Sequence, residues 1–234
     1  MEEILMEQLA QNIWVFDGPT VRFFGFPFTT RMTVVRLANG ALWLHSPIQL
    51  SDSLVEQINQ LGTVDYLIAP NHLHHLFLAD WLEVYPEAQL YGTNEVIKKR
   101  QDLAFDGSLN VEQQWPWREE IEQELFTGSP AMQECVFFHP ESRTLIVTDL
   151  VENFAKQHFN YWQRPVAKGI GILAPHGQMP LDWRLSFMFG KAKARQHMMR
   201  ILAWQPQTLV MSHGNIVYSN AESFLRRSFR WLIQ

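Results

Sequence analysis

Short apolar runs separated by polar turn residues dominate the first part of the chain and predict β-strands. Residues 12–16 and 21–24 form two such runs, and residues 31–37 and 41–45 form two more. The turn Ala38-Asn39-Gly40 separates the last two runs. Because Asn-Gly between two strand-like runs is a strong hairpin signal, we expect these two strands to pair in an antiparallel hairpin.

The next stretch changes to the spacing of apolar residues that is typical of helices. Ser51-Asp52-Ser53 supplies N-cap residues for a helix over residues 54–61, and Gly62 ends it. Strands and helices then alternate, with strands predicted at 64–69 and 89–92 and helices at 77–85 and 94–100.

The second half returns to paired strands before it ends in helices. The predicted elements are strands at 134–139 and 143–148, a helix at 191–204, a strand that ends at His213 and a helix that begins near Asn220. Residues 151–185 are rich in Gly, Pro and aromatic residues, which predicts an insertion or a lid. Because hairpins return after the alternating units, the order favours two mixed sheets between helices over one continuous parallel sheet.

Composition narrows the class of protein. The 234 residues are 47% hydrophobic and carry a net charge of −5, which suits one large α/β domain and offers no basic stripe for nucleic acid. The single cysteine, Cys135, excludes an internal disulfide and a cysteine-rich zinc site, and its apolar surroundings predict a buried structural thiol. The acidic start is unlike a signal peptide and no apolar stretch is long enough to span a bilayer, so we expect a cytoplasmic protein.

The most informative stretch is 70–77, Pro-Asn-His-Leu-His-His-Leu-Phe, which follows the predicted strand 64–69. It places His72, His74 and His75 at the end of a strand, where neutral imidazoles commonly build metal sites. Two later apolar runs also lead to candidate ligands, Asp149 and His213. We therefore expect these strand ends to converge on one site, although at least one of the adjacent histidines is expected to pack or hydrogen-bond instead.

The order of these features resembles that of the metallo-β-lactamase superfamily, and in particular a branch of unknown function. The resemblance rests on the hairpin at Asn39-Gly40, the histidine cluster, Pro86-Glu87-Ala88, the hairpin that ends in Thr148-Asp149-Leu150, and Ser212-His213-Gly214. It implies a single α/β domain over residues 1–234, a four-layer αββα sandwich of two mixed sheets flanked by helices, with 151–185 as the lid or insertion.

The resemblance also implies a degenerate metal site. The signature of the superfamily is His-x-His-x-Asp-His; read from His72, the first two ligands match and Leu76 and Phe77 stand for the last two. Read one residue earlier, Asn71 and Leu73 replace the first two histidines and His75 takes the place of the Asp. Neither register is complete, and we favour the first because it keeps two ligands. The next family histidine would fall near Pro130, where Glu134 is the nearest substitute. By the same resemblance, Asp149 corresponds to the bridging Asp and His213 to the last His.

The implied ligand set is therefore drawn from His72, His74, His75, Asp149 and His213, enough for one zinc or iron ion; a site without any ion stays open. The first hypothesis is a metal-dependent hydrolase with at most one metal ion, acting on an unknown ester, thioester or phosphoester. The second is an inactive binding or assembly module. The partner would be an unknown small molecule, or a second copy that meets an aromatic surface. Seven aromatic residues could form such a surface, line an apolar pocket or cap the core: Phe154, Phe159, Tyr161, Trp162, Trp183, Phe187 and Phe189.

Overall fold

The structure is a computed structural model that describes residues 6–23 and 25–234. The chain forms two compact units. The first gathers the residues up to Pro19 together with Thr30–Arg118, and the second gathers Thr20–Thr29 together with Glu119–Gln234. The prediction of a single domain over residues 1–234 stays a prediction.

The first unit is built on a seven-stranded mixed sheet whose strands follow chain order, β1 to β7. Its antiparallel part holds the hairpin of β3 and β4, and the pairs β4–β5, β5–β6 and β6–β7 are parallel. The elements are β1 (Met6–Ala10), β2 (Ile13–Phe23), β3 (Phe26–Arg36), β4 (Ala41–His45), α1 (Asp52–Leu61), β5 (Thr63–Ala69), α2 (Leu78–Val84), β6 (Gln89–Gly92), α3 (Asn94–Lys99) and β7 (Gly107–Ser108). The far ends of β2 and β3 belong to the second unit.

Local chemistry explains the turn and the helix that the pattern predicts in this unit. Gly40 has a φ of +87°, which favours glycine at the β3–β4 turn, and the Asn39 side chain accepts a hydrogen bond from the Ala41 N–H at 3.0 Å. Ser51 caps α1, because its hydroxyl accepts the Leu54 N–H at 3.2 Å. Both features were predicted at these residues.

The second unit is built on a four-stranded sheet in the order β11-β10-β9-β8, in which β10 and β11 are parallel and the other pairs antiparallel. Its elements are β8 (Glu122–Phe126), β9 (Glu134–His139), β10 (Thr144–Val147), α4 (Gln163–Ile170), α5 (Leu181–Ser186), α6 (Lys191–Ala203), β11 (Thr208–Met211), α7 (Ala221–Ser228) and α8 (Arg230–Ile233), with a 3-10 turn at Lys156–His158. α6 packs against β8 and α8.

The predicted fold class, two mixed sheets flanked by helices, is confirmed. The sequence did not predict β1, β7 or β8, and all three are edge strands of their sheets. Edge strands are short and polar, because only part of their surface is buried, and their sequences therefore lack a strong apolar run. Cys135 on β9 is buried as predicted, and burial raises the pKa of its thiol well above the ordinary value.

The Gly- and Pro-rich stretch 151–185 is neither all loop nor all exposed. Val151–Phe154 are buried, and single β-bridges join Glu152 to Gln178 and Phe154 to Leu173. The remainder holds α4 and the start of α5. Its role as a lid stays a prediction. Among the described residues, no helix combines the length and the apolar character needed to cross a membrane.

Candidate metal centre

Asp149 and His213 meet just beyond the C-terminal ends of β10 and β11 in the second unit's sheet. β10 and β11 run parallel, with Val147 opposite Met211, so the residues that follow the two strands leave the sheet at the same edge. Asp149 and His213 each lie two residues beyond these positions. His213 Nε2 lies 3.0 Å from Asp149 Oδ1, and both side chains are buried. The structure thus brings together two of the residues that the sequence singled out.

Thr29, in the part of β3 that belongs to the second unit, sets the orientation of the His213 ring. His213 Nδ1 lies 2.6 Å from the Thr29 carbonyl oxygen, and since a carbonyl only accepts, Nδ1 carries the proton. The Thr29 hydroxyl donates to the Ser212 carbonyl at 3.3 Å and accepts the Gly214 N–H at 3.1 Å. Nε2 is therefore the nitrogen turned toward Asp149. Metal-binding histidines are commonly oriented in this way, by donating the N–H of the ring nitrogen that does not bind the metal to a backbone carbonyl.

The Asp149–His213 pair favours a positive charge between Asp149 Oδ1 and His213 Nε2. Burial lowers the pKa of His213, but the hydrogen bond and charge of Asp149, the charge of Glu152 and the Thr29 carbonyl outweigh it, so the pKa lies above its ordinary value. The negative electrostatic potential that stabilises a proton on the buried Nε2 also stabilises a metal cation that displaces this proton.

Glu134 on β9 holds the loop that carries Asp149. Its carboxylate oxygens accept three backbone N–H groups, from Thr148 at 2.7 Å, Asp149 at 2.8 Å and Leu150 at 3.0 Å. Burial, followed by the charge of Asp149, raises the pKa of Glu134 to about 7. The sequence suggested Glu134 as a substitute ligand, whereas its contacts make it a positioning residue for Asp149.

Glu152 is an acidic residue that sequence reasoning missed. It is buried, and its Oε2 atom has no hydrogen-bond partner among the described residues. Burial raises its pKa to about 8, the charges of Asp149 and Asp182 act in the same direction, and the charge of His213 opposes them. The only sequence signal was an acid directly after the apolar pair Leu150-Val151.

We expect the stability of the metal-free protein to fall as pH rises, because of Glu152. Its carboxyl keeps its proton up to a pH of about 8 when folded and loses it above 4.5 when unfolded, so unfolding releases a proton in this window. Glu152→Gln lacks this effect. The difference in free energy of unfolding, Glu152→Gln minus wild type, should therefore increase by up to about 1.4 kcal/mol per pH unit between pH 4.5 and about 8. Urea unfolding in EDTA at several pH values measures this, with the exposed Glu141→Gln as control. If the free energies of unfolding of Glu152→Gln and wild type change with pH in parallel, Glu152 does not have a raised pKa in the folded protein.

In the first unit, the histidines lie in a turn-rich loop, residues 71–77, between β5 and α2. The buried Asn71 side chain organises the loop, because its Oδ1 accepts the N–H groups of Leu73 at 2.8 Å and His74 at 3.3 Å. His74 Nδ1 lies 2.6 Å from the hydroxyl of Ser46, the residue after β4. This contact orients the His74 ring through its Nδ1 atom.

The other two candidate histidines have different surroundings. His72 Nδ1 lies 3.2 Å from Oε2 of Glu95 on α3. Burial and the nearby charges of Lys99 and Arg100 lower the pKa of His75 to about 4, and its Nδ1 is buried without a hydrogen-bond partner among the described residues. The same cations that disfavour a proton on His75 also disfavour a metal ion there. That any histidine of this loop joins Asp149 and His213 stays a prediction.

Comparison with curated proteins found no match. Solved structures match over nearly the whole chain. DIM-1 metallo-β-lactamase exposed to ceftazidime has a TM-score of 0.65 at 15% identity, with 98% of this chain and 97% of that chain covered. A metallo-β-lactamase from Pontibacter korlensis gives 0.61 at 12% identity, with 96% and 99% covered.

The metal-soaked Flv1 flavodiiron core from Synechocystis sp. gives 0.63 at 16% identity and covers 98% of this chain but 61% of that chain. At these identities the similarity shows the fold alone, and it confirms the metallo-β-lactamase fold that the sequence order predicted. The family described as a domain of unknown function, DUF4336, matches residues 10–169, which is more than half of the chain. The chain is thus a member of the DUF4336 family, built on the metallo-β-lactamase fold.

Proposed function

We propose that this protein is a metal-dependent hydrolase with at most one metal ion. The observation that carries the proposal is the buried Asp149–His213 pair at 3.0 Å, with the second nitrogen of His213 fixed by the Thr29 carbonyl. A carboxylate and an oriented imidazole that share one buried edge have the chemistry of a zinc or iron site. Nitrogen and oxygen donors without any thiolate suit either metal.

His74 is the histidine of the 71–77 loop that we assign as the third ligand. His74, Asp149 and His213 all carry donor atoms able to hold a metal ion. The Ser46 hydroxyl orients His74, whereas His72 pairs with Glu95 and His75 has cationic neighbours. Three protein ligands with an open position are the usual set for a catalytic zinc ion.

In this proposal the metal ion supplies the chemistry, and Glu134 and Thr29 position the two ligands of the second unit. A bound metal would supply a Lewis acid that lowers the pKa of water and polarises an ester, thioester or phosphoester. Glu134 keeps the Asp149 backbone in place through three hydrogen bonds. Thr29 keeps His213 in the tautomer that presents Nε2.

Hydrolysis assays with and without metal test the proposal. We expect purified protein loaded with zinc or iron to hydrolyse at least one of p-nitrophenyl acetate, an acyl thioester and bis-p-nitrophenyl phosphate, and to lose that activity on chelation. Asp149→Asn and His213→Ala should each lower the rate by about 100-fold or more, because a three-ligand site tolerates the loss of one poorly. The exposed His176→Ala is the control. Activity that survives in Asp149→Asn would reject the assignment.

The alternative function is an inactive binding or assembly module. It is favoured by Leu76 and Phe77, which stand where the resemblance places an Asp and a His; Leu76 is 57% exposed and Phe77 packs against the first unit's core. Both are apolar, so neither can replace the lost acid as a proton acceptor. Elemental analysis of protein purified without chelators separates the two: about one metal ion per chain supports the hydrolase, and none supports the module.

A further inference from the structure

One segment of the second unit exposes an unusual amount of apolar surface. Of the 13 large hydrophobic side chains exposed among the described residues, eight lie between residues 161 and 199. They are Tyr161, Trp162, Val166, Leu181, Leu185, Met188, Phe189 and Met199. Phe189 is 98% exposed. The predicted aromatic set thus divides: Phe154, Phe159 and Phe187 are buried, whereas Tyr161, Trp162 and Phe189 face solvent.

The same segment is strongly basic in an acidic protein. Residues 155–200 contain eight lysines and arginines and a single acidic residue, Asp182. The rest of the chain has 11 basic and 23 acidic residues, since the whole chain has 19 and 24. Lys191, Lys193 and Arg195, at the start of α6, are all exposed, and only Gly190 separates Phe189 from Lys191. Exposed apolar groups and positive charge therefore occur side by side; we call residues 185–195 the basic apolar surface.

The fold holds this surface rigidly. Phe187 is fully buried, and Gly190 lies so close to Gly128 that a Cβ atom on Gly190 would meet the Gly128 carbonyl oxygen at 1.9 Å. The Gly190 N–H donates to the Phe187 carbonyl at 3.0 Å. Met188 and Phe189 are thus exposed between two anchored neighbours. A rigid protruding apolar pair loses little conformational entropy when it binds.

We propose that the basic apolar surface docks on an anionic lipid bilayer, with Leu185, Met188 and Phe189 inserted between headgroups. Lys191, Lys193 and Arg195 would then lie at the level of the lipid phosphates. Apolar residues flanked by Lys and Arg are typical of proteins that lie on a membrane without crossing it. A symmetric dimer through this surface would bring its like charges together. Of these three apolar residues only Phe189 could stack on a nucleic-acid base, whereas the aliphatic Leu185 and Met188 suit a lipid interior.

Vesicle co-sedimentation tests this proposal. The full chain is mixed with vesicles of phosphatidylcholine alone, or with added phosphatidylglycerol, at low and high salt. We expect binding to the anionic vesicles that is on the order of 100-fold stronger than to the neutral ones, because three basic residues approach the lipid surface. High salt should reduce it. Equal binding to both vesicles, or none to either, overturns the proposal.

Two variants separate the apolar from the charged contribution. Lys191→Glu/Lys193→Glu/Arg195→Glu should abolish the preference for anionic vesicles, and Leu185→Ser/Phe189→Ser should weaken binding by roughly 10-fold or more. The matched controls are Lys98→Glu/Arg226→Glu/Arg230→Glu and Val84→Ser/Val111→Ser, which alter exposed residues outside the segment. Circular dichroism checks that each variant is folded.

Other occupants of the surface give different results. A protein that sediments as a dimer and becomes monomeric in Leu185→Ser/Phe189→Ser would assign the surface to a second copy. Equal affinity for an oligonucleotide would assign it to polyanions in general. Loss of vesicle binding in the control variants would show that the binding is not located here. Each of these three results overturns the proposal.

Discussion

Replacing Glu134 by alanine is expected to lower the free energy of unfolding by roughly 3–5 kcal/mol at pH 7. The change removes the acceptor of three buried backbone N–H groups, from Thr148, Asp149 and Leu150. Each buried donor left without a partner costs about 1–3 kcal/mol, and the cost of burying the carboxyl itself offsets part of the sum. Urea unfolding followed by circular dichroism measures the effect.

Glu134→Gln gives a graded version of the same test. One amide oxygen can still accept, but the NH₂ group faces N–H donors, so we expect an intermediate loss of stability. Glu141→Ala, at an exposed position of the β9–β10 turn, should stay within about 0.5 kcal/mol of wild type. If Glu134→Ala also stays within this margin, Glu134 does not hold the loop that carries Asp149.

His213→Ala is expected to remove the bound metal ion. Wild-type protein loaded with zinc or iron and dialysed against a mild chelator should hold about one ion per chain, and the variant should hold less than about a tenth of that. Second-shell hydrogen bonds can retain a weak ion, which is why the dialysis precedes the elemental analysis. The second metal position should stay empty, because Leu76 and Phe77 replace the Asp and His of the signature.

Two further variants show whether the loss is specific. Asp149→Asn keeps the shape of the side chain but not its charge, so we expect it to lose the metal ion too while remaining folded. The exposed His176→Ala should bind metal like wild type. Two tightly held ions per wild-type chain, or retention of the ion in His213→Ala, would refute the ligand assignment.

Much of the fold could be predicted from local sequence patterns. The turn at Asn39-Gly40, the Ser51 cap and the hairpin of β9 and β10 lie where the sequence placed them. These features depend on neighbours within a few residues, so a local pattern carries the information. β8 was missed because the run Glu-Gln-Glu-Leu-Phe is mostly polar, and its identity as an edge strand depends on a partner strand elsewhere.

The candidate ligands could also be named from the sequence, because Asp149 and His213 each follow a short apolar strand. The sequence could not determine what surrounds them. Thr29 is 184 residues from His213, and nothing in its local sequence marks the contact. From the sequence alone Glu134 is the nearest substitute ligand, whereas in the structure it accepts three backbone N–H groups of the loop that carries Asp149.

The sequence by itself therefore determined the order of the elements, the residue types available for a metal site and the charge difference between residues 155–200 and the rest of the chain. Only the tertiary structure decided the tautomer of His213, the burial that raises the pKa of Glu152, and the exposure of Phe189 beside buried Phe187. The reason is physical. Burial and hydrogen-bond partners are set by residues that are distant in the chain, whereas turns, caps and charge counts are set by the chain itself.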